Sequence, residues 1–413
     1  MNIDIKRLQK EIDDLSLISE ATPPVVTRVL YSEADMKGRA FVKNLFREAG
    51  LTVREDAIGN TFARWEGKDK SAAPVGTGSH IDAIPNAGKY DGVVGVLGAL
   101  EAVRALKSTG FIPQRSIDII IFTAEEPTRF GIGCLGSRLL AATMAADKVA
   151  NLKDRDGGTL DSLRTQAGFP TSNPLDVRLP KNAYAAFVEL HIEQGPILEQ
   201  RNIDIGIVEK IAAPSSLRMK LTGVGGHAGA VLMPERHDAG LAAAEISLAV
   251  EKAAKTSGSP DTVGTTGVFR IEPGAVNSVP CYAYLEIDLR DTNVETRDTA
   301  LVQIESAAKE ICARRGVNLE IERVNVDAPA VCDQKLVNAV EDICKKKKYS
   351  STRMISRAYH DSLFMAQVAP TTMIFIPCLK GYSHRPDEYS SPEQIRRGVD
   401  VLAGTLQNIS SVG

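Results

Sequence analysis

The sequence predicts an α/β protein that carries a second, smaller α+β unit. Four continuous apolar runs suit buried strands, and they lie at residues 74–82, 116–124, 185–192 and 372–378. Helical periodicity covers 4–20 and 33–50, and a helix pattern rich in small residues covers 93–106. Such strands, alternating with helices, are typical of a largely buried sheet with helices packed on it. We therefore expect one α/β domain, formed by residues 1–212 and 330–413.

Residues 213–329 follow a different pattern. The segments 217–222 and 282–290 alternate like half-buried strands, while 237–254 is an Ala-rich helix and 299–315 a second helix. Two strands and two helices in one block indicate a separate α+β unit inserted into the larger domain.

Composition excludes several classes of function. The chain has 413 residues, of which 43% are hydrophobic, and 49 basic residues nearly balance 52 acidic ones, giving a net charge of −3. That balance provides no basic field for nucleic acid and no polybasic stretch for a membrane surface. The six cysteines include no C-x-x-C pair and predict reduced, mostly buried thiols.

No segment approaches the length of a membrane span, and residues 1–19 are charged and helix-like, unlike a signal peptide. A cytoplasmic location is the default expectation. A targeting segment that precedes the given sequence is the alternative.

The six histidines are the first indication of chemistry. Five of them stand in short contexts rich in Gly, Asp and Glu, at the ends of apolar runs. A lone histidine is usually a core or surface residue, whereas several at strand ends favour a catalytic or metal site.

His80 ends the first apolar run. Asp82, two residues on, lies on the same side of an extended chain and is expected to hold the other ring nitrogen of His80. Asp91 follows in a Gly-flanked turn that opens a helix, where its carboxylate could offer one oxygen to each of two metals. The alternative is that Asp91 only caps that helix.

Glu125 and Glu126 follow the second apolar run. Adjacent carboxylates at a strand end repel unless cations or protons separate their roles. We expect Glu126 to bind a metal and Glu125 to remain free as a general base, with its pKa tuned by partial burial. The alternative is a solvated pair on a loop.

His191 ends the third apolar run, and His384 follows the fourth. With His80, Asp91 and Glu126 they make a mixed nitrogen and oxygen set that suits zinc, manganese or cobalt better than magnesium or calcium. Two such ions sharing Asp91 would polarise a carbonyl and lower the pKa of a water molecule.

The inserted unit adds further polar candidates. His227, framed by glycines, could reach the oxyanion of a tetrahedral intermediate. Asn277 is another candidate, and Arg290 ends a strand with a planar fork matched to a carboxylate. The alternative for Arg290 is a salt bridge with Asp288 or Asp291.

These motifs resemble those of the dinuclear metallo-amidohydrolases, the family of allantoate, ureidoglycolate and N-carbamoyl-L-amino-acid amidohydrolases. The resemblance runs from about residue 30 to the C-terminus, on the strings HID, GKYDG, TAEEPTRFGIGCLGSR, ELHIEQGPILE, GVGGHAGAVLMPERHDAG, AVNSVP, DLRD, HDS and GYSHRP. It implies a zinc-peptidase-like, three-layer catalytic domain whose inserted unit, residues 213–329, acts as a lid and dimerisation domain.

The resemblance also implies roles for individual residues. One metal would be held by His80 and His191 and the other by Glu126 and His384, with Asp91 bridging and Glu125 as base. His227 would reach the site of the neighbouring subunit of a homodimer. The remaining substrate contacts would be Gln194, Asn277, Arg290 and His360.

The strings HIDAIP, SRAYHDSLFMA and IFIPCLKGYSHRP are most similar to the ureidoglycolate branch of the family. That branch implies manganese, with zinc or cobalt as alternatives, and hydrolysis of (S)-ureidoglycolate to glyoxylate, ammonia and carbon dioxide in allantoin degradation, part of purine catabolism. It also implies the endoplasmic reticulum if this is a plant protein whose signal peptide was trimmed. An N-carbamoyl-L-amino acid or allantoate remains the alternative substrate.

Overall fold

The computed structural model describes residues 1–412, which form two compact units. Unit 1 comprises Met1–Glu209, Val331–Ser356 and His360–Gly413. Unit 2 comprises Lys210–Ala330 and Arg357–Tyr359.

Twelve α-helices occur in the described part of the chain, and α8 and α9 among them belong to unit 2. They are α1 (Ile5–Ser16), α2 (Glu33–Glu48), α3 (Val93–Ser108), α4 (Leu135–Leu140), α5 (Ala146–Ala150), α6 (Leu160–Gln166), α7 (Ile197–Gln200), α8 (Ala239–Lys255), α9 (Val294–Arg315), α10 (Gln334–Lys347), α11 (Ser362–Met365) and α12 (Pro392–Ser410).

The strands are β1 (Val26–Arg28), β2 (Thr52–Glu55), β3 (Thr61–Trp65), β4 (Val75–His80), β5 (Ala83–Ala87), β6 (Ile117–Phe122), β7 (Ala186–Ile192), β8 (Ile205–Ile211), β9 (Ala213–Thr222), β10 (Gly226–His227), β11 (Val263–Glu272), β12 (Ser278–Val279), β13 (Tyr282–Asp291), β14 (Asn318–Val326), β15 (Ala330–Val331), β16 (Ser351–Ser356) and β17 (Thr371–Ile376).

A mixed sheet forms the centre of unit 1, in the order β15-β8-β17-β7-β4-β6-β3-β2, with β16 paired to β8. The four neighbouring strands β17, β7, β4 and β6 run parallel, and every residue in them is buried. These are the four apolar runs of the sequence, so the predicted α/β layer is confirmed. Because the four strands are parallel, their carboxyl ends meet at one edge of the sheet.

Helices cover both faces of these strands. On one face α3 and α12 pack together against β4, β7 and β17, and on the other α4 and α11 pack together, with α11 on β7 and β17. Alternation along β7 separates the faces, since Phe187 packs with Phe122 while Leu190 contacts α3 at Gly98. Unit 1 therefore has the expected three layers.

Unit 2 holds a four-stranded antiparallel sheet in the order β11-β13-β9-β14, with α8 and α9 packed on it. Its core is made of side chains such as Leu217, Met219, Leu285 and Ile304, all buried. Sequence patterns predicted β9, β13 and both helices but missed β11 and β14. Both are edge strands with mostly exposed residues, and only a short part of β14, at Leu319 and Ile321, packs on the core.

Two further expectations are met. No helix among residues 1–412 is long and apolar enough to cross a membrane. All six cysteines are free thiols, five of them buried.

Candidate metal centre

The candidate ligands gather at the carboxyl edge of the four parallel strands of unit 1. His80 is the last residue of β4, and His191 lies one residue before the end of β7. Glu126 follows β6, and His384 follows β17. Strand register therefore brings His80 and His191 together, and the loops that leave β6 and β17 carry Glu126 and His384 to the same edge. The fifth residue, Asp91, lies in the turn between β5 and α3.

Asp91 directs its two carboxylate oxygens towards two different groups of ligands. Its Oδ1 lies 3.5 Å from His80 Nε2 and 3.1 Å from His191 Nε2. Its Oδ2 lies 3.5 Å from His384 Nε2, which in turn is 3.3 Å from Glu126 Oε1. Two triplets thus share Asp91, and within each the possible ligand atoms lie no more than 4.8 Å apart.

The buried histidines are held in one tautomer by main-chain carbonyls. His80 Nδ1 lies 3.0 Å from Asp82 O, and His191 Nδ1 lies 2.9 Å from Ile192 O. A carbonyl oxygen can only accept, so each Nδ1 carries a hydrogen, and in the neutral ring the Nε2 lone pair faces Asp91. The two Nε2 atoms are therefore ready to bind a cation.

Asp82 orients His80 through an atom other than the one expected. The sequence predicted that the Asp82 carboxylate binds the His80 ring. The main-chain carbonyl of Asp82 forms that hydrogen bond instead, and Asp82 Oδ1 is 3.7 Å from His80 Nδ1. The carboxylate instead accepts the N–H groups of Glu125, at 3.4 Å, and Glu126, at 3.1 Å. It therefore fixes the turn that carries the two glutamates.

Asp91 does not cap the helix that follows it. Helix α3 begins after Gly92, and no side chain caps its first turn by a hydrogen bond. Gly92 has φ +66°, and a Cβ built on it would lie 2.5 Å from His80 Nε2. The turn therefore needs glycine at this position, both for its backbone conformation and for room beside the ring.

Glu125 and Glu126 are buried, at 8% and 4% exposure, so they are not a solvated pair on a loop. Burial raises the pKa of Glu125 well above its ordinary value, and the charge of Glu126 adds to this, while His80 opposes it. A carboxylate held in this way is a suitable proton acceptor near neutral pH. The thiol of Cys134 lies 3.6 Å from Glu125 Oε1.

The charges of the site fit bound cations. Each of Asp91, Glu125 and Glu126 lies within 3.8 Å of a histidine ring nitrogen. Burial alone would raise the pKa of Asp91, but the charge and hydrogen bond of His191 hold it well below its usual range. A hydrogen bond to Glu126 raises the pKa of His384 to about 9. Buried carboxylates of this kind require positive charge, which protons on the rings or bound metal ions can supply.

A third possible group of ligands, Glu189, His191 and His360, is less suited to a metal. Both oxygens of Glu189 already accept hydroxyl protons, from Ser79 at 2.6 Å and Ser362 at 2.5 Å. His360 is 1% exposed, and its ring centroid lies 4.6 Å from that of His191.

Three side chains hold Asp91, and sequence patterns missed two of them, Ser383 and Glu388. The amide nitrogen of Gln194, predicted to contact substrate, donates to Asp91 Oδ2 at 2.6 Å. The hydroxyl of Ser383 lies 2.5 Å from the same oxygen. Glu388 accepts the N–H groups of Tyr90 and Asp91. Only the position of Glu388, four residues after His384, could have suggested it.

Of the polar candidates of unit 2, His227 and Asn277 are exposed and Arg290 is half-buried. His227 pairs with Ser278 in the β10–β12 ribbon and accepts the Gly229 N–H at its Nδ1. Arg290 forms a salt bridge with Asp288, which was the alternative role predicted for it. Its Nε lies 2.7 Å and its Nη2 3.2 Å from the Asp288 carboxylate.

The family model of Peptidase family M20/M25/M40 matches residues 76–408. The chain belongs to this family. As a member of the M20 family it is a hydrolase of C–N bonds, and the matched range includes all five candidate ligands.

Three relatives place the chain within the M20 family. The ureidoglycolate hydrolase of Arabidopsis thaliana is 53% identical over 99% of this chain and 87% of its own length. The N-carbamoyl-L-amino acid amidohydrolase of Geobacillus stearothermophilus is 35% identical, with 98% of each chain covered. The crystal structure of AtUAH in complex with (S)-hydroxyglycine has 52% identity and a TM-score of 0.92, covering 99% of this chain and 98% of that one.

Proposed function

We propose that this protein hydrolyses (S)-ureidoglycolate at its ureido carbonyl, using two divalent metal ions. The observation that carries the proposal is the arrangement at Asp91, where Oδ1 faces two imidazole nitrogens and Oδ2 faces a third beside Glu126. One carboxylate placed between two ligand groups is the arrangement required to bridge a pair of ions.

His80 and His191 would hold one ion, Glu126 and His384 the other, and Asp91 both. When bound, such a pair polarises a carbonyl and lowers the pKa of a water molecule. The mixed nitrogen and oxygen donors suit manganese, which is our first choice, and also zinc or cobalt.

Glu125 acts as the general base in this proposal. It would take a proton from the attacking water and pass it to the leaving nitrogen, a role supported by its burial and raised pKa. His227 would donate a hydrogen bond to the developing oxyanion. Asn277 and Arg290 would hold the substrate carboxylate, with Asp288 fixing the plane of the guanidinium group.

The two remaining candidates lie in unit 1. Gln194 and His360 are proposed to contact the substrate beside the metals. Gln194 Oε1 is buried without a hydrogen-bond partner in the described structure, so it can accept a donor from a bound ligand.

The relatives support ureidoglycolate over other ureido substrates. Identity to the Arabidopsis ureidoglycolate hydrolase is 53%, against 35% to the Geobacillus carbamoylase. The (S)-hydroxyglycine bound to AtUAH is the product expected when water removes the carbamoyl group of (S)-ureidoglycolate as ammonia and carbon dioxide. Hydroxyglycine then releases a second ammonia to give glyoxylate.

The test is a comparison of ammonia release from (S)-ureidoglycolate, allantoate and an N-carbamoyl-L-amino acid, with Mn²⁺ present. We expect kcat/KM to be highest on (S)-ureidoglycolate. A higher value on either of the others would assign the chain to that substrate, and release of an amine from ordinary peptides without ammonia would contradict the ureido chemistry.

We also propose a homodimer formed through unit 2. The edge strand β11 has no further strand beside it in the sheet, and most of its residues are exposed, including Phe269 at 45% and Ile271 at 41%. Apolar side chains near His227 and Asn277 are exposed too, among them Leu232, Met233 and Val276. These surfaces are suited to contact with a second copy of the chain. In that dimer, His227 of one subunit would enter the metal site of the other.

Subunit mixing tests this arrangement. His227→Ala and Glu125→Gln dimers should each be nearly inactive, but exchange of subunits should create mixed dimers with one intact site. Recovery should approach about a quarter of wild-type activity, because half the dimers are mixed and each has one working site of two. Lack of recovery in a mixture proven to exchange would place His227 in its own subunit's site or outside the chemistry.

A further inference from the structure

Glu388 lies where the turn that carries Asp91 meets the loop that carries His384. It is 4% exposed, although it is an acidic residue in a loop whose neighbours Asp387 and Tyr389 are exposed. A buried carboxylate is costly unless hydrogen bonds satisfy it, and Glu388 has such bonds at both oxygens.

One oxygen of Glu388 holds the main chain at Asp91. Oε1 accepts the N–H of Tyr90 at 2.8 Å and the N–H of Asp91 at 3.0 Å. Two adjacent amides bound to one oxygen fix the orientation of the peptide between them, and with it the direction of the Asp91 side chain.

The other oxygen reaches the loop of His384. Oε2 lies 3.0 Å from the hydroxyl of Ser383, which lies 2.5 Å from Asp91 Oδ2. Glu388 is thus connected to Asp91 twice, through the main chain and through the residue that precedes His384.

The turn leaves space for this side chain. A Cβ built on Gly88 would lie 2.5 Å from Glu388 Cβ and 2.7 Å from its Oε1. Any larger residue at position 88 would displace the carboxylate from Tyr90 and Asp91.

We propose that Glu388 is the positioning residue of the metal pair, because it fixes the turn of Asp91 against the loop of His384. It touches neither metal nor substrate in this role. The inference deepens the proposed two-metal function and rests on it.

Glu388 should position Asp91 through its hydrogen bonds and not through its negative charge. Ser383 has a single hydroxyl proton, which can serve only one of the two carboxylates that face it. With glutamine at position 388, Oε1 would still accept both amides, while Nε2 would donate to Ser383 and leave the Ser383 proton for Asp91. Glu388→Asp keeps the charge but withdraws the carboxylate by one methylene.

The experiment is calorimetric titration of Mn²⁺ into metal-depleted, full-length protein, with thermal melts to verify folding. Wild type should bind two ions per chain. Glu388→Gln should keep both affinities within about threefold, whereas Glu388→Asp should weaken at least one about tenfold or more. Asp387→Ala, which removes an exposed carboxylate from the same loop, should match wild type.

Full affinity in Glu388→Asp would overturn the proposal, as would weaker binding by Glu388→Gln than by Glu388→Asp. If Glu388→Asp does not fold, Gly88→Ala, whose added Cβ would lie 2.7 Å from Glu388 Oε1 and displace the carboxylate, should show the same tenfold loss, and unchanged affinity there would also overturn it. A wild-type stoichiometry of one would instead refute the metal pair. The role of Glu388 would still be tested on the remaining ion, because Asp91 belongs to both triplets.

Discussion

Substitution of Gly92 by alanine tests how closely the backbone is fitted to the metal site. A Cβ at this position would lie 2.5 Å from His80 Cδ2 and Nε2 and 2.6 Å from Cε1. The ring cannot turn away, because it is 1% exposed and its Nδ1 is bound to the Asp82 carbonyl. Reaching ordinary van der Waals contact requires a shift of about 1 Å.

The expected effects separate into two parts. The backbone conformation of Gly92, φ +66° with ψ −44°, costs an alanine about 1–3 kcal/mol of folding free energy. Moving a ligand nitrogen by about 1 Å should lower kcat about 100-fold and weaken Mn²⁺ binding about 10- to 100-fold.

Gly110→Ala is the matched control. Gly110 also has a positive φ, +77°, but its added Cβ would meet nothing within 4 Å. Gly110→Ala should show only the backbone cost as a fall in Tm, whereas Gly92→Ala should melt lower still because of the clash with His80. Only Gly92→Ala should lose ammonia release and metal affinity. If Gly92→Ala keeps both within threefold of Gly110→Ala, the turn does not constrain His80 and the reasoning is refuted.

Three further outcomes are expected. Glu125→Gln should lower kcat about 10²- to 10⁴-fold while calorimetry still detects bound metal; loss of metal would make Glu125 a ligand. Arg28→Met should reduce the free energy of unfolding by about 3 kcal/mol or more in a urea titration, because it removes the donors to the buried carbonyls of Leu15, Ile18 and Ile81; an unchanged midpoint would contradict this. EDTA should lower Tm by several degrees and Mn²⁺ should restore it. A ligand present at about 100 times its Kd adds about 2.7 kcal/mol to the free energy of unfolding. Equal Tm values with and without EDTA would argue against resident metal.

The strands of unit 1 were readable from the sequence for a physical reason. Runs such as 116–124 are apolar at nearly every position because helices cover both faces of the sheet, and β6 lies inside that run as Ile117–Phe122. The edge strands β11 and β14 gave no such signal, since most of their residues are exposed. Helix α9 began earlier than predicted, because Asn293 caps it by accepting the N–H groups of Glu295 and Thr296. The assignment of residues 213–329 as a lid and dimerisation domain stays a prediction.

The candidate ligands were readable because they follow apolar runs, which become neighbouring strand ends. The contacts between these ligands could not be predicted from the sequence. Nothing in the sequence indicates that the carbonyl of Asp82, and not its carboxylate, binds His80, since main-chain atoms are the same in every residue. Nor does the sequence show that Arg290 pairs with Asp288 and not Asp291, because both lie close to it along one strand.

Four of the five ligands show how unequally the fold supports them, and this difference explains why Asp91 has so many partners. His80 and His191 are fixed by their strands, and Glu126 by the turn that Asp82 holds at the end of β6. Asp91 comes from a turn outside the sheet, so strand register does not determine where its carboxylate lies. Three side chains bind it instead: Gln194 and Ser383 at Oδ2, and Glu388 at its main chain. In a centre whose two halves share one carboxylate, an error at Asp91 displaces both ions. The additional hydrogen bonds are therefore found at the ligand where an error would have the largest effect.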